Sequence, residues 1–383
     1  MLQRVDAQTP ADPAALERPG GFAWWYLDLV DDKGDGLVLI WAWGLPFLPG
    51  LARDARSGQP SLPRDRPAIS FALYEGGRCT CYLLQEAPAA AASTDLLGDF
   101  SVGGATLCIR PLARPEGEGG GEGEGGGEGE GAGEGEGFSL RATLDLPIPG
   151  SAGRLRGEVR AAGPALRGGS LGPRYAGHSW SPRLAGAEGE ARLDVAGRAV
   201  ALRGRLYHDR NEGTAPMHAH GIADWWWGRL ALPDRALIWY RLRHSDGHVE
   251  EHLLDVDHSG QARDCATPAA LSAPSRWAWF GPRCPRQLTL TDADGRAHPV
   301  ALEAPIDDSP FYQRLRMRCP GGWGWAERVI PAAIDPDWMR PLVRMRVQQL
   351  GGPNSVWLPL FAGPVESRFQ RLLRPAPTAL VAR

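Results

Sequence analysis

From Phe22 onward the apolar residues fall in short runs of β-branched and aromatic side chains, separated by Gly, Pro, Asp and Asn, and almost nowhere keep a helical period. The pattern predicts a mostly β protein. Phe22 to Val30, a polar stretch from Asp31 to Gly36, and Leu37 to Leu45 together read as a hairpin with a turn-rich loop. A similar unit returns at Ala223 to Leu232, Pro233 to Arg235 and Ala236 to His244. Both units carry a tandem Trp, a Leu-x-Leu approach to the turn, an Asp in the turn and an Ile-Trp in the return strand. The repetition points to an internal duplication, with one antiparallel barrel or sandwich starting near Phe22 and a second near Gly221.

The division expected on this basis is a disordered segment over 1–20, a first β domain over 21–215, a second over 216–365 and a tail over 366–383. The boundary falls within Asn211 to His218, where Gly and Pro separate two strands. Residues 116–137 are an almost pure Glu/Gly tract that cannot bury enough apolar surface to offset its chain entropy, so a disordered loop is expected there. A short helix or turn is expected within Pro331 to Leu342, and a last strand around Val356 to Phe361.

With 383 residues and 43% hydrophobic content the chain can fill more than one core. Its net charge of −3, with Arg and acidic residues mixed, gives neither a nucleic-acid stripe nor a polybasic membrane anchor. Nucleic acid is therefore not an expected partner. The six cysteines show no C-x-x-C pair and no regular spacing, so reduced thiols are expected rather than a zinc knuckle or a disulfide framework. The N-terminus lacks the apolar core of a secretory signal, and the longest apolar run, Leu37 to Leu48, is too short to span a bilayer. A cytoplasmic location is expected, with peripheral contact to the inner membrane face left open, as is the oligomeric state. The apolar loop Gly44 to Gly50 either dips into a bilayer, lips a lipophilic cavity or plugs an interdomain space.

Candidate chemistry concentrates between Arg205 and Leu230, which holds three His, two Asp and a Trp-Trp-Trp run. On an extended strand alternate residues share a face, so His178 pairs with Trp180, and Tyr207 with Asp209. If both pairs point into one cavity, an acid, an imidazole, a phenol and an indole meet in an apolar setting suited to general acid chemistry. The plainer account makes His178 a loop cap, Tyr207 a core residue and Asp209 a turn former. A metal reading draws on His208, His218, His220 and Asp224, but their spacing is weak and solvated loop histidines explain it as well; no metal site is expected. Among the tryptophans, Trp25, Trp41, Trp225, Trp227 and Trp239 are the candidates for lining a ligand cavity; most of the others must be core.

Phe22-Ala-Trp-Trp-Tyr-Leu-Asp28, Gly177-His-Ser-Trp180, Tyr207-His-Asp-Arg-Asn-Glu-Gly213, Trp225-Trp-Trp-Gly-Arg229 and Met339-Arg-Pro-Leu-Val-Arg-Met345 follow one another in an order that resembles the carotenoid 1,2-hydratase (hydroxyneurosporene synthase) family. That family sits within a wider lipocalin-like group of paired β-barrels, which also contains cycloaddition catalysts. The resemblance implies two lipocalin-like β domains in tandem and a cofactor-free addition of water to the terminal double bond of an acyclic carotenoid, or another apolar polyene. It places the family's His-x-Trp on His178 and Trp180, and its Tyr-x-Asp on Tyr207 and Asp209. Departures are the Glu/Gly insertion, a weakly matching stretch over 50–66, and Glu212 where much of the wider group has an aromatic residue. The roles implied are Asp209 as general acid, Tyr207 and Trp180 as π-faces near a carbocation, and His178 either orienting Asp209 or holding the water. A cyclase or cycloaddition catalyst and a non-enzymatic lipophile carrier are the alternatives. The position of Asp209 beside the interdomain link favours a pocket between the barrels.

Overall fold

The computed structural model describes residues 2–6, 8–48, 50–58, 61–112, 137–168, 178–276, 282–334, 336–358 and 362–363. The strands that build the centre of the molecule are β1 (Phe22–Val30), β2 (Gly36–Trp43), β3 (Pro67–Glu75), β4 (His178–Val195), β5 (Arg198–Gly213), β6 (Ile222–Ala231), β7 (Arg235–His244), β8 (Tyr312–Cys319) and β9 (Gly322–Val329). The architecture is mostly β, with two lipocalin-like antiparallel units in tandem.

Among the described residues one sheet has thirteen strands. It runs from Gln348–Gln349 and Arg78–Glu86 through β3, β2, β1, β5 and β4, then through Arg154–Pro164, Gly137–Pro147, Ala105–Pro111 and Asp99–Val102 to Ala92–Thr94. The second has ten strands, with β7, β6, β9 and β8 adjacent in that order. The sheets exchange short segments. Arg167–Gly168 pairs in parallel with Gln261–Asp264 of the second sheet, and Gln348–Gln349 pairs in parallel with Arg78–Glu86 of the first.

Burial explains why β1 reads as an unbroken apolar run. All nine of its residues are buried, because both of its faces are covered. Ala23, Trp25, Leu27 and Leu29 point into the first sheet's own core, whereas Phe22, Trp24, Tyr26 and Val30 point toward the second sheet. The alternation recurs in β6 and β7: Trp226, Leu230, Leu237 and Trp239 fill the second sheet's core, and Trp225, Trp227, Ile238, Tyr240 and Leu242 face the first sheet. Three apolar cores result, one inside each sheet and one in the seam between them.

The β1–β2 turn depends on one glycine. Asp31 Oδ1 accepts the N–H groups of Lys33 and Asp35, and Gly34 takes φ +76°. A Cβ on Gly34 would also lie 2.5 Å from the Trp323 ring of the second sheet, so the position needs glycine for both backbone and space. The loop Gly44 to Gly50 is a plug: Leu45 and Leu48 are buried in the seam, and Phe47 lies 6.1 Å from Phe311 and 5.3 Å from Tyr312 between ring centroids.

Two expectations need correction. The N-terminal segment is not disordered over its described residues: Leu2–Arg4 pairs in parallel with residues 178–180 of β4, and Ala14–Glu17 forms a helical turn. Burial of Ala11 and Leu16 holds it, together with side chains from β5: Arg210 donates to the Thr9 carbonyl, and Glu212 accepts the Asp12 N–H. Glu212, a departure from the related pattern, thus has a structural use. At the other end, residues 356–358 form a turn instead of a strand, leaving Val356 and Trp357 exposed; the short helix or turn expected within Pro331 to Leu342 is present as a 3-10 turn at Pro331–Ala333, followed by a helical turn at Arg340–Arg344. The remaining residues of that expected strand, 359–361, the tail 366–383 and residues 116–136 of the Glu/Gly tract lie outside the described residues. None of the six cysteines forms a disulfide.

One ion pair crosses the seam. Asp28 of β1 and Arg229 of β6 are both fully buried and hydrogen-bonded, and Arg229 also donates to the Arg205 carbonyl of β5 at 3.0 Å. Replacing Asp28 by Ala strands the guanidinium in an apolar seam. The expected cost is about 3–5 kcal/mol, read as a lowered urea midpoint. The double replacement Asp28→Leu/Arg229→Met should recover most of it.

Candidate active site

β4 and β5 run antiparallel at the centre of the first sheet and present one face to the seam. On β5 that face carries Tyr207, Asp209 and Asn211; on β4 it carries His178 and Trp180, with Trp180 opposite Asn211 and Pro182 opposite Asp209. The ladder shifts register between Pro182 and Leu184 and again before Ala187, as expected where proline removes a donor and a bulge re-aims the strand.

Asp209 is 2% exposed and accepts three hydrogen bonds. Tyr207 Oη donates to Oδ2 at 2.7 Å, Trp180 Nε1 donates to the same oxygen at 2.8 Å, and Asn211 Nδ2 donates to Oδ1 at 3.1 Å. Burial nevertheless dominates and pushes the carboxyl up to about 7, against the lowering effect of the Tyr207 and Trp180 bonds and with help from Glu327 and Asp28. His178 does not touch Asp209. Its Nε2 lies 2.9 Å from Asn211 Oδ1, and burial holds the imidazole neutral, with its pKa lowered to about 3.

Aromatic rings enclose these groups. Tyr207 lies 5.3 Å from Trp227 and 6.2 Å from Tyr26, and Tyr26 lies 4.9 Å from Trp227. On the other side Tyr240 lies 5.2 Å from Trp180 and 5.6 Å from Trp225, and Trp24 lies 5.7 Å from Trp225. Tyr26 Oη and the indole nitrogens of Trp225, Trp227 and Trp325 have no hydrogen-bond partner among the described residues. Further along the seam, Arg314 donates to Glu327 at 3.0 Å and to Tyr74 Oη, and its guanidinium lies 5.6 Å from the Tyr312 ring centre.

The structure therefore brings His178, Trp180, Tyr207 and Asp209 together, and adds Trp225 and Trp227 from the second sheet. It does not bring Trp25, Trp41 or Trp239. Trp25 and Trp41 are cross-strand partners inside the first core, where Trp25 packs 4.2 Å from Phe100 and Trp41 Nε1 donates to the Ala105 carbonyl. Trp239 packs against Trp226 in the second core and donates to Glu251 at 2.8 Å. Strand alternation turns them away; from β1 it is Trp24 that faces the seam.

Of the metal reading, His208 and Asp224 are each engaged elsewhere, and the His218 side chain lies outside the described residues. His208 points to the opposite face of β5, with Nδ1 2.7 Å from the Tyr26 carbonyl, and Asp224 is bound by Arg328 at 2.8 and 2.9 Å. Among the described residues Asp255, Asp292 and Asp294 lie close enough to share an ion, but Arg235 and Arg263 already neutralise them.

Asn211, Tyr240 and Tyr26 are site residues that sequence reasoning missed. Asn211 follows from the same i, i+2 rule that paired Tyr207 with Asp209.

The family profile described as Carotenoid hydratase CrtC matches residues 140–347, which include β4 to β9. A Chlorobaculum tepidum protein named hydroxyneurosporene dehydrogenase is 28% identical over 332 residues, covering 78% of this chain and 77% of its own. An acyclic carotenoid 1,2-hydratase from Thiocapsa roseopersicina is 25% identical over 323 residues, covering 79% of this chain and 67% of its own. In three dimensions, a Nitrosomonas europaea protein described as an AttH superposes with a TM-score of 0.52 at 16% identity, over 84% of this chain and 99% of that one, a likeness of fold. The profile match spans more than half of the sequence: the chain belongs to the carotenoid hydratase family and is a hydro-lyase acting in carotenoid biosynthesis.

Proposed function

We propose that the protein adds water, without a cofactor, across the terminal C1–C2 double bond of an acyclic carotenoid of the lycopene or neurosporene type to give a tertiary alcohol. The observation that carries this reading is the state of Asp209. A carboxyl that titrates near 7 is protonated in about half of the molecules at neutral pH, against about one in a thousand for an ordinary Asp. The difference corresponds to roughly 4 kcal/mol of disfavoured ionisation, the tuning a general acid needs.

In this reading Asp209 delivers its proton to C2, and the π electrons of the double bond form the new C–H bond. The tertiary cation left at C1 lies among Tyr207, Trp180 and Trp227, whose ring faces each lower its energy by about 1–2 kcal/mol. Tyr207 and Trp180 also hold the carboxylate that Asp209 becomes. A water molecule then bonds to C1 and loses a proton. The seam, closed by the plug at Phe47, limits competing quenching of the cation. No helix among the described residues is long and apolar enough to cross a membrane.

The direct test is anaerobic incubation with lycopene and with neurosporene in detergent. The expected product is heavier by one water, and it is lost with Asp209→Asn while the variant stays folded and still binds polyene. An isomer of the substrate would indicate a cyclase, and unchanged ligand a carrier.

Two further outcomes are expected. Because the protonated form of Asp209 is the active one, kcat/KM should fall as the pH rises through about 7. Tyr207→Phe removes a donor that stabilises the carboxylate, so this alkaline limb should move to higher pH by about one to two units while the maximal rate falls.

A further inference from the structure

Hydration needs an acid that carries a proton and, in the same cavity, a base that does not. One neutral side chain touches both groups. Asn211 is buried on β5 between Asp209 and His178, with its amide nitrogen 3.1 Å from Asp209 Oδ1 and its amide oxygen 2.9 Å from His178 Nε2.

The chemistry of the amide fixes which end is which. Once Asp209 has given up its proton its Oδ1 offers only lone pairs, so the group that faces it when water attacks is the NH2, 3.1 Å away. The other end is then the carbonyl oxygen, which only accepts. A ring nitrogen 2.9 Å from it must donate, so His178 carries its hydrogen on Nε2. A neutral imidazole has one N–H, which leaves Nδ1 as a bare lone pair. Nδ1 has no hydrogen-bond partner among the described residues. The ring lies among Phe22, Trp24, Trp225 and Tyr240, with centroids 5.5 to 6.0 Å away, so its bare nitrogen is enclosed by aromatic residues of the seam.

We propose that Asn211 is a positioning residue for the hydration step: it locks His178 in the Nε2–H tautomer, so that Nδ1 receives a proton from the attacking water, while the same amide holds the acid carboxyl in place. This rests on the hydratase reading and decides the part His178 plays in it. The balance is closed. Asp209 gives one proton to C2; the water oxygen bonds to C1 and passes one of its protons to Nδ1; the imidazolium and the carboxylate then return to their neutral forms by net transfer of one proton from His178 to Asp209. An amide suits this position better than a carboxylate, because Asp at 211 would set a second negative charge about 3 Å from Asp209.

The test uses the full chain with ¹⁵N-labelled histidine. Long-range ¹H–¹⁵N correlation should show the His178 ring, assigned by its loss in His178→Phe, with a protonated Nε2 and a bare Nδ1. Asn211→Ala should populate both tautomers and lower kcat about 100-fold with little change in KM. Asn211→Asp keeps an acceptor for Nε2–H and should keep the tautomer, while its charge moves the alkaline limb of kcat/KM to higher pH, a shift that mere loosening of the fold does not produce. A proton on Nδ1 in the unaltered protein, or near-normal turnover by Asn211→Ala, overturns the proposal. The tautomer is read without turnover: it decides the Asn211 lock even if a variant fails to fold, and failure to hydrate any carotene counts separately, against the hydratase reading.

Discussion

Along β1 and at the seam end of β5 the first sheet has no solvent face, because the second sheet covers it, and everything distinctive about the site follows from that double burial. Tyr207 and Asp209 occupy positions that in a one-sided sheet would be wet. Between two sheets, water no longer compensates the charge on a carboxylate, and neither do three well-made hydrogen bonds. The proton stays. The same absence of water sets the neutral state of His178 and makes the Asp28–Arg229 pair obligatory once either partner is present. The raised carboxyl, the neutral imidazole and the buried ion pair are thus consequences of one packing decision.

Much of this organisation was legible in the sequence. Tandem tryptophans followed by an Asp-bearing turn marked both hairpins, and the i, i+2 rule put Tyr207 with Asp209 and His178 with Trp180. What the rule could not supply was phase. In Trp24-Trp25 and Trp225-Trp226-Trp227 both faces are apolar, so nothing local says which indole looks into the seam and which into a barrel core. Trp25, Trp41 and Trp239 were misplaced on that account. Tyr240 and Arg314 were invisible for a different reason: their importance comes from the opposite sheet, across a contact that no spacing along the chain encodes.

The N-terminal segment shows a second limit. Its sparse apolar content reads as disorder, yet Ala11 and Leu16 suffice once Arg210 and Glu212, on the face of β5 opposite the acid, reach out to its backbone. β5 therefore serves two ends with alternate residues, carrying the Asp209 cluster toward the seam and holding the N-terminal segment on its other face. A substitution at Arg210 or Glu212 reaches Asp209 through the strand they share and through the N-terminal segment, which pairs with residues 178–180.

The exchanged segments bear on how such a molecule can be assembled or divided. Residues 167–168 lie in the second sheet and residues 348–349 in the first, so a cut near residue 215 would not release two finished halves. Each fragment would keep a strand that belongs to the other and expose a sheet edge that the missing strand had covered. During synthesis, the edge at Arg78–Glu86 waits for some 260 further residues before Gln348 arrives to close it. That edge is therefore completed only by residues made after every strand of the second sheet.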